Sequence, residues 1–133
     1  VELYGDGKNI RHWLHINDTI GAIEIIRKKG VNGEIYNIGS GEYLSNLNLI
    51  KKIINTMNLE MRDSITFVKD RPGHDFRYAI NFEKIQKLGW KPKKNIDNEI
   101  GKIINWYQEN KLWWQKDYKN TLKSRVERFN ISK

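Results

Sequence analysis

Apolar residues recur every three or four positions in several stretches of the chain, and this spacing predicts helices. Four of these stretches follow a residue whose side chain is well suited to cap a helix N-terminus. The helices are expected to begin at Asp18, at Ser45 or Asn46, at Asn81 and at Asn95, with a further short helix around Trp113-Trp114.

Short extended segments lie between these helices. Apolar and β-branched residues, bounded by glycine, asparagine or proline, predict strands over residues 1–4, 10–16, 34–38, 43–46 and 65–68. Residues 58–64 are polar and are predicted as a linker. We therefore predict one domain over residues 1–133 of the α/β class, α+β as an isolated piece, with short strands and three or four helices. Residues 115–133 are expected to be a loosely ordered tail.

The composition narrows the classes of protein to consider. The chain has no cysteine, which excludes disulfides and thiolate zinc sites and fits a reducing, cytoplasmic location. With 24 Lys+Arg against 16 Asp+Glu, its net charge of +8 attracts anions such as nucleic acid, acidic membranes or phosphate esters. No signal peptide or membrane-spanning apolar run is present in the sequence. Because the sequence opens on Val1 in a strand-like segment, we expect this chain to be part of a longer protein.

The six residues from Asp70 to Asp75, Asp-Arg-Pro-Gly-His-Asp, form the most informative motif. Pro72-Gly73 predicts a tight turn, because proline fixes one dihedral and glycine adopts conformations that other residues avoid. The turn presents Arg71 and His74, and these side chains with free backbone N–H groups suit a phosphorylated or carboxylated ligand. The alternative is a polar surface turn in which Arg71 pairs with Asp70 or Asp75.

Arg11 is a second candidate for anion binding. In an extended segment, alternation places it on the same face as Trp13 and His15. A charged residue on an apolar face requires a partner or a ligand. The alternative is that Arg11 stacks on Trp13 with its charged end in water.

His12 and His15 raise the question of a metal site. Residues three apart on a strand point to opposite faces, and no cysteine is available as a further ligand. No metal site is therefore expected.

Several segments, in order along the chain, resemble the C-terminal part of the dTDP-glucose 4,6-dehydratases, which are extended short-chain dehydrogenase/reductase enzymes with a Rossmann-type fold. The resemblance includes the motif described above and covers most of the chain. The segments are Leu3–Gly7 with Ile10–Leu14, Gly33–Gly39, Asp70–Asp75 with Arg77–Ile80, Leu88–Pro92, and Trp106-Tyr107 with Asn110. His12 and His15 depart from the family pattern, which has aspartate and tyrosine at these positions.

The resemblance implies a set of substrate-binding residues. In the family, arginines matching Arg11 and Arg71 contact the diphosphate of the nucleotide sugar, and the asparagine matching Asn46 contacts the nucleotide. Asn46 is equally explained as a helix cap. Glu2 stands where the family usually has proline. The implied set is Glu2, Leu3, Tyr4, Arg11, Asn46, Arg71, Pro72, Gly73, His74 and Asp75.

The resemblance also implies that NAD and the catalytic residues belong to a Rossmann half upstream of Val1. The complete enzyme, a lyase expected to be a homodimer, oxidises C4 of the hexose with NAD, eliminates water across C5–C6 and returns the hydride to C6. The sequence has no complete Gly-x-Gly-x-x-Gly fingerprint. Its two Tyr-x-x-x-Lys strings, Tyr4–Lys8 and Tyr107–Lys111, lie in a glycine turn and at a helix end. We expect the chain alone to bind a dTDP- or UDP-hexose without turnover.

Two alternatives stay open. One is part of a UDP-sugar 4,6-dehydratase or a nucleotide-sugar epimerase of the same superfamily. The other is a small basic nucleic-acid-binding domain, although the positive charge is spread over several elements and no such motif is present. A steep loss of affinity for random DNA with rising salt would favour the second alternative.

Overall fold

The computed structural model describes residues 1–115, 117–118 and 121. The chain divides into two compact units, Val1–Gly101 and Lys102–Lys133. The loose tail predicted over residues 115–133 falls largely outside the described residues. No helix in the described part of the chain is long and apolar enough to cross a membrane.

Two separate two-stranded sheets contain the strands of the first unit. In one, β1 (Glu2–Tyr4) pairs in parallel with β4 (Thr66–Val68). In the other, β2 (Ile10–His12) pairs antiparallel with β3 (Tyr43–Ser45). Four of the five predicted strands are thereby confirmed, each shorter than predicted.

The fifth predicted strand, over residues 34–38, is wrong. No strand is assigned there, and the segment makes isolated contacts instead, such as the hydrogen bond from Asn37 Nδ2 to the Asn81 carbonyl at 3.2 Å. An apolar, β-prone segment becomes a strand only when a neighbouring strand pairs with it. Composition therefore identified an extended segment without showing whether a partner was present.

Three longer helices agree with the predicted positions, and two single-turn helices lie between the second and the third of them. The residues 61–64 were predicted as part of a linker, so their helix is a correction. The helices are α1 (Ile16–Lys29), α2 (Asn46–Thr56), α3 (Met61–Ser64), α4 (Glu83–Gln86) and α5 (Ile96–Glu109). Residues 111–115 are also helical, which confirms the short helix around Trp113-Trp114.

Asparagine and serine caps are largely where the pattern placed them. Ser45 Oγ accepts from the Asn48 N–H at 3.1 Å, and Asn95 Oδ1 accepts from the Asn98 N–H at 2.9 Å. Asn81 Oδ1 accepts from the Glu83 N–H at 2.8 Å, at the start of α4. These bonds satisfy N–H groups that have no partner within their own helix.

The cap of α1 is different from the prediction. His15 is the N-cap, and its Nδ1 accepts from the Asn17 N–H at 3.1 Å. Asp18 is buried and acts at long range, because its Oδ2 accepts from the N–H groups of Lys93 at 3.0 Å and Lys94 at 2.8 Å. A carboxylate at a helix start thus ties the helix to a segment 75 residues further along the chain.

Removal of this tie is expected to destabilise the chain. Asp18→Ala leaves two partly buried N–H groups without their acceptor, which lowers the free energy of unfolding by about 1–3 kcal/mol. Asp18→Asn keeps one acceptor oxygen and should lose less. Urea denaturation followed by circular dichroism measures both, with Asp63→Ala as the control because Asp63 is exposed. Equal losses for Asp18→Ala and Asp63→Ala would contradict the assignment.

The core of the first unit is small and lies under α1 and α4. Ala22 and Ile85 are fully buried and Trp90 is 6% exposed. Partly buried apolar side chains surround them: Leu14, Ile25, Ile26, Tyr36, Ile38 and Phe82. This core joins the segment after β2 to the segment after residue 80, and so supports both sides of the site described next.

In the second unit, aromatic rings pack edge to face. Trp106 contacts Tyr107 and Trp113 with ring centroids 5.2 and 5.1 Å apart. Trp114 contacts Tyr107 at 6.5 Å and Tyr118 at 5.9 Å. Such edge-to-face pairs stabilise an assembly of aromatic side chains, which gives Trp106 and Tyr107 a packing role in this unit.

Candidate functional site

The loop of residues 70–78 follows β4 and contains the Asp-Arg-Pro-Gly-His-Asp motif. Residues 72 and 73 form the predicted turn, and Gly73 has a φ of +67°. A Cβ at this position would meet no atom within 4 Å, so the glycine is needed for its backbone conformation rather than for space. The predicted turn is thereby confirmed.

The far end of this loop is fixed to β2. The Ile10 N–H donates to the Phe76 carbonyl at 2.7 Å, and the Tyr78 N–H donates to the Ile10 carbonyl at 3.1 Å. Asn9, which is 5% exposed, donates from Nδ2 to the Asp75 carbonyl at 3.3 Å. These bonds hold the loop directly beside Arg11.

Arg11 is held by the loop on several sides. Its Nη2 donates to the Asp75 carbonyl at 3.0 Å and lies 2.9 Å from His74 Nε2, and its Nη1 donates to the Ile10 carbonyl at 2.8 Å. The guanidinium stacks on the Tyr78 ring, with 4.1 Å from Cζ to the ring centroid. The aromatic partner is therefore Tyr78 rather than Trp13.

His74 lies between Arg11 and Asp70. Its side chain is only 4% exposed, and its Nδ1 is 2.7 Å from Asp70 Oδ1. The hydrogen bond with His74 lowers the pKa of Asp70, and the N–H of Arg71 contributes in the same direction. The carboxylate partner of His74 is thus Asp70, four residues earlier, and not the adjacent Asp75.

The two other arginines of the loop also stack on tyrosines. Arg71 Cζ lies 5.8 Å from the centroid of the Tyr4 ring, and Arg77 Cζ lies 5.1 Å from that of Tyr43. In the described part of the chain, no salt bridge involves Arg11, Arg71 or Arg77. The three guanidinium groups therefore lie against aromatic rings rather than in close ion pairs, although the charge of Arg71 also acts on the nearby Asp70 carboxylate.

A cleft of about 540 Å³ opens beside these side chains. Two of the arginines, Arg11 and Arg77, line it, and Arg71 does not. The lining residues are Arg11, His12, Leu14, Ile38, Arg77, Tyr78, Ala79 and Ile80. Convergence of Arg11 with Arg71 on one ligand stays a prediction, and the cleft adds Arg77, which was not among the predicted binding residues.

Apart from Arg11, none of the predicted binding residues is among those that line this cleft. Tyr4 contacts the loop, because its ring meets that of His74 edge to face with centroids 6.4 Å apart. Leu3 is buried at 4% exposure and Glu2 is exposed, so β1 presents its side chains to different surroundings. Asn46 is the first residue of α2, and its N–H donates to the Asn9 carbonyl at 3.0 Å.

Asn9 was missed by the sequence reasoning although it joins three parts of the site. Its backbone accepts from Asn46, its side chain donates to the Asp75 carbonyl, and it precedes β2. An asparagine after a Gly-Asp-Gly turn is read as a turn residue, so no local signal marks it as buried.

His12 lines the cleft and fixes a second loop. Its Nε2 accepts from the N–H groups of Ser40 at 2.9 Å and Gly41 at 2.8 Å, and its ring stacks on Tyr43 with centroids 4.8 Å apart. A Cβ on Gly39 would collide with the His12 ring, so glycine permits this close approach. Within residues 1–115, 117–118 and 121, no group of three potential metal-binding side chains occurs.

Stability is expected to fall in acid partly through His12. Burial lowers the pKa of His12 below its ordinary value of 6.5, so near that pH the unfolded state binds more protons than the folded state. The contribution is present above about pH 6.5 and is lost as the pH falls through the lower folded-state pKa. Urea denaturation at pH 7 and pH 5 should show that the free energy of unfolding falls less for His12→Gln than for the parent chain, because glutamine accepts hydrogen bonds at both pH values. An identical pH dependence would contradict this role.

Comparison with curated proteins gives relatives that share most of this chain. It is 43% identical over 122 residues to a probable dTDP-glucose 4,6-dehydratase of Sinorhizobium fredii, which covers 86% of this chain and 35% of the relative. It is 41% identical over 127 residues to the dTDP-glucose 4,6-dehydratase of Escherichia coli, with 87% and 35% covered. The chain thus spans about a third of the length of these relatives.

The fold agrees with a solved structure of such an enzyme. The dTDP-glucose 4,6-dehydratase of Streptomyces venezuelae, crystallised with NAD bound, superposes with a TM-score of 0.82 and 36% identity. The match covers 87% of this chain and 36% of that one. This agreement confirms the predicted fold class, the α/β architecture of part of a Rossmann-type dehydratase.

The family model with the description GDP-mannose 4,6 dehydratase matches residues 1–103. The match includes both strand pairs, Arg11 and the whole 70–78 loop. The chain therefore belongs to the GDP-mannose 4,6 dehydratase family.

Proposed function

We propose that this chain is the nucleotide-sugar-binding part of an NAD-dependent dTDP-glucose 4,6-dehydratase and that it holds the diphosphate of the substrate. The observation that carries the proposal is the guanidinium of Arg11, which is fixed by the 70–78 loop at the wall of the cleft without a carboxylate partner. Such a charge, already oriented and not neutralised, suits a phosphate ligand.

The donors of Arg11 support this role. An arginine side chain has five N–H donors, and three of those on Arg11 are directed at Ile10, His74 and Asp75. Two donors are left for a ligand. Stacking on Tyr78 keeps the plane of the guanidinium fixed while those donors remain available.

The rest of the cleft suits the other parts of a nucleotide sugar. Its volume of about 540 Å³ lies in the range of small-molecule sites. Leu14, Ile38 and Ile80 provide apolar surface, and Tyr78 provides an aromatic ring. Arg77 lines the same cleft and is proposed as an additional phosphate ligand, whereas Arg71 reaches the ligand only from the side of Tyr4.

Among the residues that the structure describes, no segment fits NAD. A dinucleotide site of the Rossmann type needs a glycine-rich turn between a strand and the helix that receives the pyrophosphate. Gly5 and Gly7 lie between β1 and β2, which are strands of different sheets, and Gly39 packs against His12. The NAD site and the catalytic residues are therefore proposed to lie in another part of the complete enzyme. We further propose that this enzyme is a cytoplasmic homodimer and that it does not bind nucleic acid.

Binding and turnover by the 133-residue chain test this proposal together. Isothermal titration is expected to show binding of thymidine diphosphate and much weaker binding of thymidine, since the diphosphate supplies the contact with Arg11. Chromatography is expected to show no conversion of dTDP-glucose in the presence of NAD. Equal affinity for thymidine diphosphate and thymidine would refute the diphosphate clamp. Turnover of dTDP-glucose would refute the proposal that the catalytic residues lie elsewhere.

A further inference from the structure

Both ring nitrogens of His74 are engaged although the residue belongs to an exposed loop. Nδ1 lies 2.7 Å from Asp70 Oδ1 and Nε2 lies 2.9 Å from Arg11 Nη2. With a side chain only 4% exposed, the imidazole is enclosed between a carboxylate and a guanidinium.

The two partners determine where the proton of His74 resides. A guanidinium has only donors, so the Nε2 atom that faces Arg11 must accept. Nδ1 then carries the hydrogen and donates it to Asp70. Arg11 therefore donates to His74 and His74 donates to Asp70, with a neutral imidazole between the two charged groups.

We propose that Asp70 and His74 are positioning residues that orient the Arg11 guanidinium toward the diphosphate. The inference rests on the proposed function. Asp70 fixes the imidazole, the imidazole accepts from Nη2 of Arg11, and the Asp75 carbonyl accepts from the same nitrogen. Both N–H groups of Nη2 are thereby engaged by the loop, which leaves Nε and one N–H of Nη1 for a ligand.

The position of Asp70 is itself defined. Its Oδ1 also accepts from the N–H of Arg71 at 2.9 Å. A Cβ on Gly5 would lie 3.0 Å from Asp70 Oδ2, so glycine in the turn after β1 leaves room for the carboxylate. Gly5 has a φ of +59°, which other residues rarely adopt. The turn and the loop together place the acceptor that His74 needs.

This role differs from direct contact between His74 and the ligand. Each ring nitrogen already has a protein partner, so a bond to phosphate would require the loss of one of them. A positioning residue acts only through Arg11, and its effect on affinity should disappear once Arg11 is removed. Direct contact would instead give an effect that is independent of Arg11.

A double-mutant cycle on the 133-residue chain separates the two roles. The affinity for thymidine diphosphate is measured by isothermal titration for the parent chain, Arg11→Ala, His74→Phe and the double variant. We expect His74→Phe to weaken binding roughly tenfold in the parent, a coupling within the range known for contacting residues. In the Arg11→Ala background it should have no further effect. Additive losses would overturn the positioning role.

Substitutions at Asp70 provide the conservative comparison. Asp70→Asn keeps an oxygen acceptor for the Nδ1 hydrogen and should retain most of the affinity, whereas Asp70→Leu should resemble His74→Phe. Asp63→Leu is the matched control, because Asp63 is an exposed carboxylate on α3. A loss for Asp70→Leu no larger than for Asp63→Leu would also overturn the inference.

Nitrogen-15 spectra of the imidazoles test the geometry without any ligand. The chain has three histidines, and the signals of His74 are those that vanish in His74→Phe. We expect a protonated Nδ1 and an unprotonated Nε2, and the reverse tautomer would overturn the inference. If Arg11→Ala leaves affinity unchanged, the proposed function fails. If Arg11→Ala weakens binding and His74→Phe does not, only the positioning role fails.

Discussion

Arg11→Ala is expected to weaken the binding of thymidine diphosphate by about 10- to 100-fold. Hydrogen bonds to charged groups contribute about 1.5–3 kcal/mol, and about 1.4 kcal/mol corresponds to a factor of ten in affinity. The effect should be large because Arg11 is fixed before the ligand arrives: Tyr78, His74 and the Asp75 carbonyl hold the guanidinium in place. Isothermal titration of the 133-residue chain measures the change.

Two further variants establish that geometry as well as charge is involved. Arg11→Lys keeps the positive charge but has no planar group to stack on Tyr78 and donate in fixed directions, so it should recover only a small part of the lost affinity. Arg62→Ala is the control, since this arginine is exposed on α3 with only a weak contact to Asp63 at 3.6 Å. Full recovery by lysine, or an equal loss for Arg62→Ala, would indicate non-specific attraction.

Ile85→Ala is expected to lower the free energy of unfolding by about 2–5 kcal/mol. Ile85 is fully buried and belongs to the small core with Ala22 and Trp90. A domain of ordinary stability unfolds at about 5–15 kcal/mol, so this loss is a large fraction of the total. Urea denaturation monitored by tryptophan fluorescence and circular dichroism provides the measurement.

This loss should depend on the size of the cavity that is left, and two related variants test that dependence. Ile85→Val removes one methylene and should lose about 0.5–1.5 kcal/mol. Ile35→Ala removes an isoleucine side chain that is 81% exposed and should change stability by less than about 0.5 kcal/mol. Similar losses for Ile85→Ala and Ile35→Ala would mean that Ile85 does not occupy a packed core.

Helical periodicity predicted where helices lie more reliably than which side chains they bury. The spacing of Ala22, Ile23 and Ile26 predicts that all three lie on one apolar face of α1. Ala22 is fully buried and Ile26 is partly buried, but Ile23 is 56% exposed. Periodicity defines a stripe on the helix surface, and the width of the stripe that becomes buried depends on neighbours that are remote in sequence.

At the candidate site, too, features set by neighbouring residues were predicted and contacts between distant segments were not. The turn at Pro72-Gly73 follows from residue types alone, and the structure confirms it. The stacking partner of Arg11 is Tyr78, which is 67 positions away, and no sequence pattern distinguishes it from Trp13 as a partner. Arg77 reaches the cleft because the bridge between Ile10 and Arg77 aligns the end of the loop with β2.

Asp18 and His15 show how a local rule is overridden by tertiary structure. Both side chains are able to cap a helix, and aspartate is the better cap in general. Asp18 serves two N–H groups of residues 93 and 94 instead, which leaves His15 to cap α1. The N-cap preference was correct for the segment, but the distant segment competed for the stronger acceptor.

Heteronuclear NMR titration of the parent chain with thymidine diphosphate shows whether Arg11 and Arg77 meet the diphosphate in one cleft. We expect saturable shifts in the side-chain signals of Arg11 and Arg77 and in the backbone amides of residues 78–80, which line this cleft. Thymidine at the same concentrations should leave the arginine signals unchanged. Shifts confined to other parts of the chain, or arginine signals that do not respond to the diphosphate, would contradict binding of the diphosphate by Arg11 in this cleft.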